Sequence, residues 1–443
     1  MTTPTKYQTY PKYKSSGIDW LGDIPEGWEV KRLKDIIEPL QSGGRESESI
    51  NLDSGVLSIG GEHVGWNGEI LLENPRYITR EYYLQMNQGK IKENDVLLVK
   101  DGATIGKTAL IDKSFSEDAA VNEHVFIIRA NNKNTPKYLY YFIISKIGQE
   151  QIFLEMRGSA QPGLNSGFIS KSFLFAPPKD EQKHITDFLD RETARIDEVV
   201  AKKQRLMELF KEKRQALITH AVTKGLDPKA KMKPSGIDWL GDIPEGWEIK
   251  KAKYLGRAII GLTYHPDEVV NEDEGILILR SSNIQNGLVE LNDNVYVKKE
   301  IPENLITKIG DILICSRNGS IQLIGKNILI DKSTENLSFG AFMTIFRSKY
   351  FEFLYYFFNS SLFTSQTGLF STSTINQLTT SILDNMEIPL PPAAIQKEIV
   401  NVLKIKTAKI DEIMKKIETQ IEKLQEYRQA LITSAVTGKI MVN

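Results

Sequence analysis

A single cysteine in 443 residues, Cys315, excludes an internal disulfide. It lies in the apolar run DILIC and reads as a buried strand thiol. The five histidines (His63, His124, His184, His220 and His265) show neither HExxH nor i,i+4 spacing, and one cysteine cannot complete a thiolate zinc set, so no metal site is expected. Long apolar runs are missing too. YLYYFII (Tyr138–Ile144) and FLYYFF (Phe353–Phe358) fall far short of the about 20 residues a bilayer-spanning helix needs. With no charged-then-apolar leader, the expected compartment is cytoplasmic.

An excess of basic charge is also absent. The net charge is −1, whereas chains that grip nucleic acid unaided are commonly basic. The charge is uneven: residues 43–175 carry −2, residues 262–388 carry −6 and the remainder +7. Contact with phosphate would run through local patches, or a partner would supply positive field. Catalytic motifs are lacking as well. GATIGKT (Gly102–Thr108) has three residues between glycine and GK where a phosphate-binding loop has four. The second half has GSIQLIGKN in the same slot, with Asn327 where a hydroxyl should stand, and a strand–turn–strand hairpin accounts for both. There is no GxSxG and no Asp/Asn-Pro-Pro-Tyr/Phe of amino-methyltransferases; APPK (Ala176–Lys179) only leads into a helix.

What the chain does have is repetition. SGIDWLGDIPEGWE runs from Ser16 to Glu29 and again, unchanged, from Ser235 to Glu248. PPKDEQKHITDFLDRETARIDEVV from Pro177 is answered by PPAAIQKEIVNVLKIKTAKIDEIM from Pro391, and RQALITHAVT from Arg214 by RQALITSAVT from Arg428. The last two pairs share one offset of 214 residues without a gap. Between the constant segments the two halves differ, and each middle stretch reads as mixed α/β, with strand-like runs such as GVLSIGG, NDVLLVKDG and EHVFIIRA against GILILRSS, GDILICSRNG and AFMTIFRS. PKYLYYFIISKIGQEQIF (Pro136–Phe153) and FEFLYYFFNSSLF (Phe351–Phe363) read as helical.

The constant blocks after the double prolines read as long helices, the first over Gln182–His220, with apolar residues stepping by 4 and 3. The seam is Ile185, Leu189, Ile196, Val199, Leu206, Phe210 and Leu217, matched by Ile399, Leu403, Ile410, Ile413, Ile417, Leu424 and Leu431. A lone helix would expose that stripe, so the two are expected to pair, antiparallel if the halves obey a pseudo-twofold. The fold class expected is α/β (α+β): two globular recognition domains separated by an antiparallel two-helix coiled coil. The segments are 1–176 (first domain with its opening motif), 177–225 (spacer helix 1), 226–234 (linker), 235–390 (second domain with its motif) and 391–443 (spacer helix 2 and tail). Four of the five tryptophans, Trp20, Trp28, Trp239 and Trp247, lie in the duplicated motif. Being identical, they suit structure or docking better than discrimination.

Constant parts in pairs suit a partner bound in pairs, and variable parts suit two different targets. This arrangement and these motifs resemble the specificity subunit of type I restriction–modification enzymes over nearly the whole chain. The resemblance rests on WLGDIPEGW at 20–28 and 239–247, the PP-to-EQ helix start at Pro177–Gln182 and RQALIT–AVT at both helix ends. One departure is Ile395-Gln396 where the first copy has Glu181-Gln182. The resemblance implies a DNA-reading, non-catalytic chain. Each variable domain would read half of a bipartite, asymmetric site, and the helices would set the gap. Two methyltransferase subunits would dock on the constant regions and modify an adenine in each half-site, and restriction/translocase subunits would join them. S-adenosylmethionine, ATP and Mg are implied on those partners, with no cofactor on this chain. The alternatives are a specificity chain of a related, non-type-I restriction system and a coiled-coil scaffold without a DNA role.

Base edges are read by donors and acceptors on loops, while phosphate contacts set register. The candidate readers are Lys100, Asp101, Lys107, Gln161 and Asn165 in the first domain. In the second they are Arg280, Ser282, Asn283, Ser316, Arg317, Asn318, Asn376 and Gln377. The acidity of the second domain implies weak DNA binding until the partners close around the duplex.

Overall fold

The computed structural model describes residues 7–46, 55–112, 118–158, 162–285, 287–369 and 377–442. The chain forms two compact units, Met1–Lys203 with Thr419–Asn443 and Gln204–Glu418, so each takes a piece of both long helices.

The first unit is organised by the run VLLV (Val96–Val99), a strand buried at all four positions. A strand that reads as continuous apolar sequence must be covered on both faces. Alternate side chains meet different neighbours. Val96 and Leu98 join a core with Phe126, Ile128, Tyr138 and Phe142, whereas Leu97 and Val99 face Leu57, Ile59 and Val121. The strand is central in an antiparallel sheet ordered Gln41–Ser42, Val125–Ile128, Val96–Val99, Thr108–Leu110. Beneath it lies a smaller sheet in which Val56–Ile59 pairs antiparallel with Tyr77–Ile78 and parallel with Ala119–Val121. Strand Glu29–Arg32, which follows the duplicated motif, pairs with Phe173–Ala176, which leads into the long helix.

The second unit repeats this plan. Its main sheet runs Arg257–Ile260, Met343–Arg347, Ile312–Cys315, Asn327–Leu329. Ile276–Leu279 pairs antiparallel with Tyr296–Val297 and parallel with Ser338–Phe339. Glu248–Lys251 pairs with Glu387–Leu390. Cys315 ends the central strand, and burial pushes its thiol up.

The apolar helix of each unit is two helices. Pro136–Ile144 and Lys146–Glu155 are separated by Ser145, whose extended backbone and side-chain oxygen cap the second helix by accepting from the Gly148 amide. Phe351–Phe358 and Ser361–Leu369 break at Asn359 and Ser360, and the Ser360 hydroxyl donates to the Phe357 carbonyl at 2.6 Å. A serine that bonds its own backbone competes with helix propagation, which apolar periodicity alone does not register.

The long helices span Lys179–Lys224 and Ala393–Val436. Within the first unit, Asp197 meets Arg428 in a two-pronged pair (2.8 and 3.2 Å) and Lys203 donates to Gln420 (2.6 Å). Rising numbers on one helix thus meet falling numbers on the other, and the two pieces are antiparallel. Within the second unit Arg214 forks onto Asp411 (2.9 and 3.4 Å). The offset of 214 makes these two forks copies of one another.

The stripe turned from solvent corrects the heptad reading. On the first helix it falls at Ile185, Leu189, Thr193, Ile196, Val200, Lys203, Met207, Phe210, Arg214, Ile218 and Ala221. On the second it falls at Ile399, Leu403, Thr407, Ile410, Met414, Ile417, Ile421, Leu424, Arg428, Ile432 and Ala435. Each set covers 36 residues in ten steps, a mean of 3.6, the period of a straight α-helix rather than the 3.5 of a heptad seam. The strict 4–3 count therefore drifts off the stripe. Val199 and Leu206, assigned to the seam, are exposed (37% and 42%), and Val200 and Met207 turn inward in their stead.

Candidate nucleic-acid interface

In each unit one loop leaves the end of the central strand and is clamped from both sides. In the first unit the Lys100 amide donates to the His124 carbonyl (2.9 Å), and the Leu164 amide donates to the Lys100 carbonyl (2.8 Å). In the second unit the Ser316 amide donates to Phe342 (2.9 Å) and the Leu378 amide to Ser316 (2.7 Å). Asp101 then bridges Gly163, and Arg317 bridges Gln377. The same backbone frame thus holds Asp101, His124 and Gly163 in one unit and Arg317, Phe342 and Gln377 in the other.

Two buried fixtures support each frame. Asp95 at the strand start accepts from Arg129 Nε and Nη2 (2.6 and 2.7 Å), and Asp311 accepts from Arg347 in the same way (2.6 and 2.6 Å). The carboxylates hold both guanidinium groups above the usual arginine range. The second fixture caps a neighbouring turn. His63 Nδ1 accepts from the Gly60 amide (2.9 Å), and Asn283 Oδ1 accepts from the Arg280 amide (2.9 Å).

Several expected readers are therefore spent on structure. Asn283 is buried as that cap, and its amide nitrogen donates to the Glu290 carbonyl. Ser316 is buried, its hydroxyl donating to Phe342 O at 3.0 Å. These two are corrected from base readers to framework residues, because caps and base contacts draw on the same residue types. Asn318 bonds Ser281 Oγ and the Ser320 amide, and Asn165 accepts from Gly167. Arg280 is paired with Asp293 at 2.7 Å. Lys100 lies over the Phe126 ring and Lys107 over the exposed Trp66. Ser282, Arg317 and Gln377 are exposed, while Gln161 and Asn376 lie outside the described residues. Sequence reasoning missed His124 and Phe342. An exposed residue just before a strand carries no periodic signal, and only alignment of the two halves through their equivalent strands would have found them.

The tryptophans of the duplicated motif divide. Trp28 and Trp247 are buried, and Trp20 and Trp239 are exposed (53% and 41%). Trp28 Nε1 donates to Glu181 Oε1 (3.0 Å), which also accepts from Tyr10 (2.5 Å). Nearby Gly438, in the left-handed region at φ +69°, turns the C-terminal tail so closely past Pro25 that an added Cβ would lie 2.5 Å from its ring. In the second unit Ile395 replaces Glu181, and a cavity of about 230 Å³ lies beside Trp247, Ile395 and Glu398. Among the described residues, no group of three or more His, Cys, Asp or Glu is placed to hold a metal, and no helix is long and apolar enough to cross a membrane.

The family model of the type I restriction modification DNA specificity domain matches residues 25–208 and 244–423. The EcoKI specificity subunit of Escherichia coli K12 is 32% identical over 207 residues, which cover 45% of this chain and 44% of that protein. The StySPI specificity subunit of Salmonella potsdam is likewise matched over 44% of its length, so the chain spans under half of these two relatives. The MjaVIII specificity subunit of Methanocaldococcus jannaschii is 24% identical over 434 residues, 95% of this chain and 94% of the relative. A chain solved in work on complex assembly of the type I R-M system shares the fold, with TM-score 0.69 and 18% identity over 94% of this chain and 99% of that one.

Proposed function

Since this chain belongs to the type I restriction–modification DNA specificity family, we propose that it is the DNA-reading subunit of such a complex. Each variable domain reads one half of a bipartite, asymmetric site. The paired helices set the gap between halves and, with the duplicated motif, dock two methyltransferase subunits and through them the restriction subunits. The chain itself contributes recognition and no catalytic group. S-adenosylmethionine, ATP and Mg belong to the partners.

The observation that carries this reading is the contrast within one frame. Backbone bonds and the buried Asp–Arg pair are repeated, while the outward side chains change from Asp101 and His124 to Arg317 and Phe342. A scaffold has no need of that contrast; a reader of two unlike half-sites does. The second variable stretch is acidic overall, which fits a reader whose grip on phosphate depends on partners.

Co-expression with the cognate methyltransferase subunit, followed by single-molecule mapping of N6-methyladenine, tests the proposal. A bipartite asymmetric motif modified on both strands is the expected result. A stable complex that leaves no motif would sink it.

A further inference from the structure

We infer that the clamped slot at the end of each central strand fixes one base pair per half-site: Arg317 takes a guanine, and Asp101 takes the amino group of a cytosine. The inference rests on the DNA-reading role proposed above and adds which residues discriminate. The slots are equivalent by their hydrogen bonds, since the residue before each bonds the same strand neighbour and the same downstream leucine. Their side chains are exchanged as pairs. Arg317 lies 5.2 Å from the ring centre of Phe342, itself 58% exposed. In the other unit Asp101 Oδ2 meets His124 Nδ1 at 3.1 Å, and its remaining oxygen lies beside Gly163. In both, an outward polar group is steadied by the ring of the residue that precedes the neighbouring strand.

Arg317 also differs from other arginines of these domains. Arg129, Arg280 and Arg347 are ion-paired, whereas among the described residues Arg317, like Arg157 and Arg257, meets no carboxylate within ion-pair range, and of these three Arg317 lies against an aromatic ring. An exposed guanidinium held against an aromatic ring, in the most acidic part of the chain, suits a bidentate contact to O6 and N7 of guanine. A carboxylate in that place accepts from N4 of cytosine and repels the guanine edge.

The test uses the assembled complex of this chain with its cognate methyltransferase, comparing wild type with R317A, R317K and D101A by methylation mapping and by DNA binding at constant salt. R317A is expected to keep the gap and one half-site intact while relaxing a single G·C requirement in the other, with roughly 5- to 150-fold less discrimination there. R317K keeps the charge but loses the fork, so it relaxes the same position; it decides the matter if R317A does not assemble. D101A relaxes one C·G position in the opposite half-site. A bipartite wild-type motif left unchanged by all three variants overturns the slot assignment while the reader role stands. Uniformly weaker binding to every sequence makes Arg317 a phosphate contact and overturns it too. If the wild-type complex has no bipartite motif, the reader role fails, and the slot assignment fails with it.

Discussion

The two recognition domains differ least where they are buried and most where they meet solvent. Their central strands share only the leucine at the second of four positions, VLLV against ILIC, yet each divides its side chains between the same two cores. The Asp–Arg pair behind each strand is kept in identity and geometry. The slot in front is replaced outright. Apolar packing tolerates exchange of side chains of similar volume, and a buried charge does not tolerate loss of its partner. The frame is thus held by a few polar constraints, and its outer face is free to vary.

The sharpest way to break this comparison is to remove one half of the buried pair. Asp311→Ala leaves the Arg347 guanidinium without a carboxylate partner, with an expected loss of about 3–5 kcal/mol, and Asp95→Ala leaves Arg129 only Glu38, at 3.7 Å, so its loss should fall at or below the lower end of that range. Hydrogen exchange of the two central strands would measure each domain separately. A loss confined to one domain would show that the two frames are not equivalent.

A smaller effect separates the two buried tryptophans. Trp28→Phe removes a donor to the Glu181 carboxylate as well as buried ring volume. Trp247→Phe loses the same volume but no such bond, because Ile395 offers no carboxylate, and should cost about 1.5–3 kcal/mol less. Thermal unfolding of both variants checks the difference, and equal losses would mean that Glu181 adds nothing to the first unit.

The slot can be transplanted. Asp101→Arg with His124→Phe and Gly163→Gln should give the first domain a guanine requirement, worth about 1–3 kcal/mol against other bases, readable as a changed methylation motif. The smallest effect is expected at the repeated helix forks. Arg428→Ala and Arg214→Ala remove partly exposed pairs, and each should shift stability by about 1 kcal/mol or less in urea unfolding.

How much of this could be read from sequence follows the same division. The repeat, the long helices after PP and the α/β character of the variable stretches were legible, because exact duplication and strong periodicity survive without context. The helix period was misjudged. Val199 and Leu206 satisfy a heptad count, but only packing distinguishes 3.5 from 3.6 residues per turn over so long a run. Ser145 and Ser360 broke helices inside apolar sequence, since a hydroxyl bonded to its own chain leaves no hydropathic trace. Asn283 and Ser316 were misplaced because an amide or hydroxyl serves a turn as readily as a base. The Glu181/Ile395 departure was visible in the sequence, but its meaning came only with Trp28 and Tyr10 beside it.

The closeness of Asp101 to Gly163 has an evolutionary consequence. A Cβ at position 163 would come 3.0 Å from Asp101 Oδ1, so a side chain there asks that partly exposed carboxylate, engaged by His124, to give by a few tenths of an ångström. Single substitutions that carry the slot from one specificity to the other therefore have an order. Glutamine at 163 has to displace the Asp101 carboxylate while that residue remains and meets no such contact once it is gone.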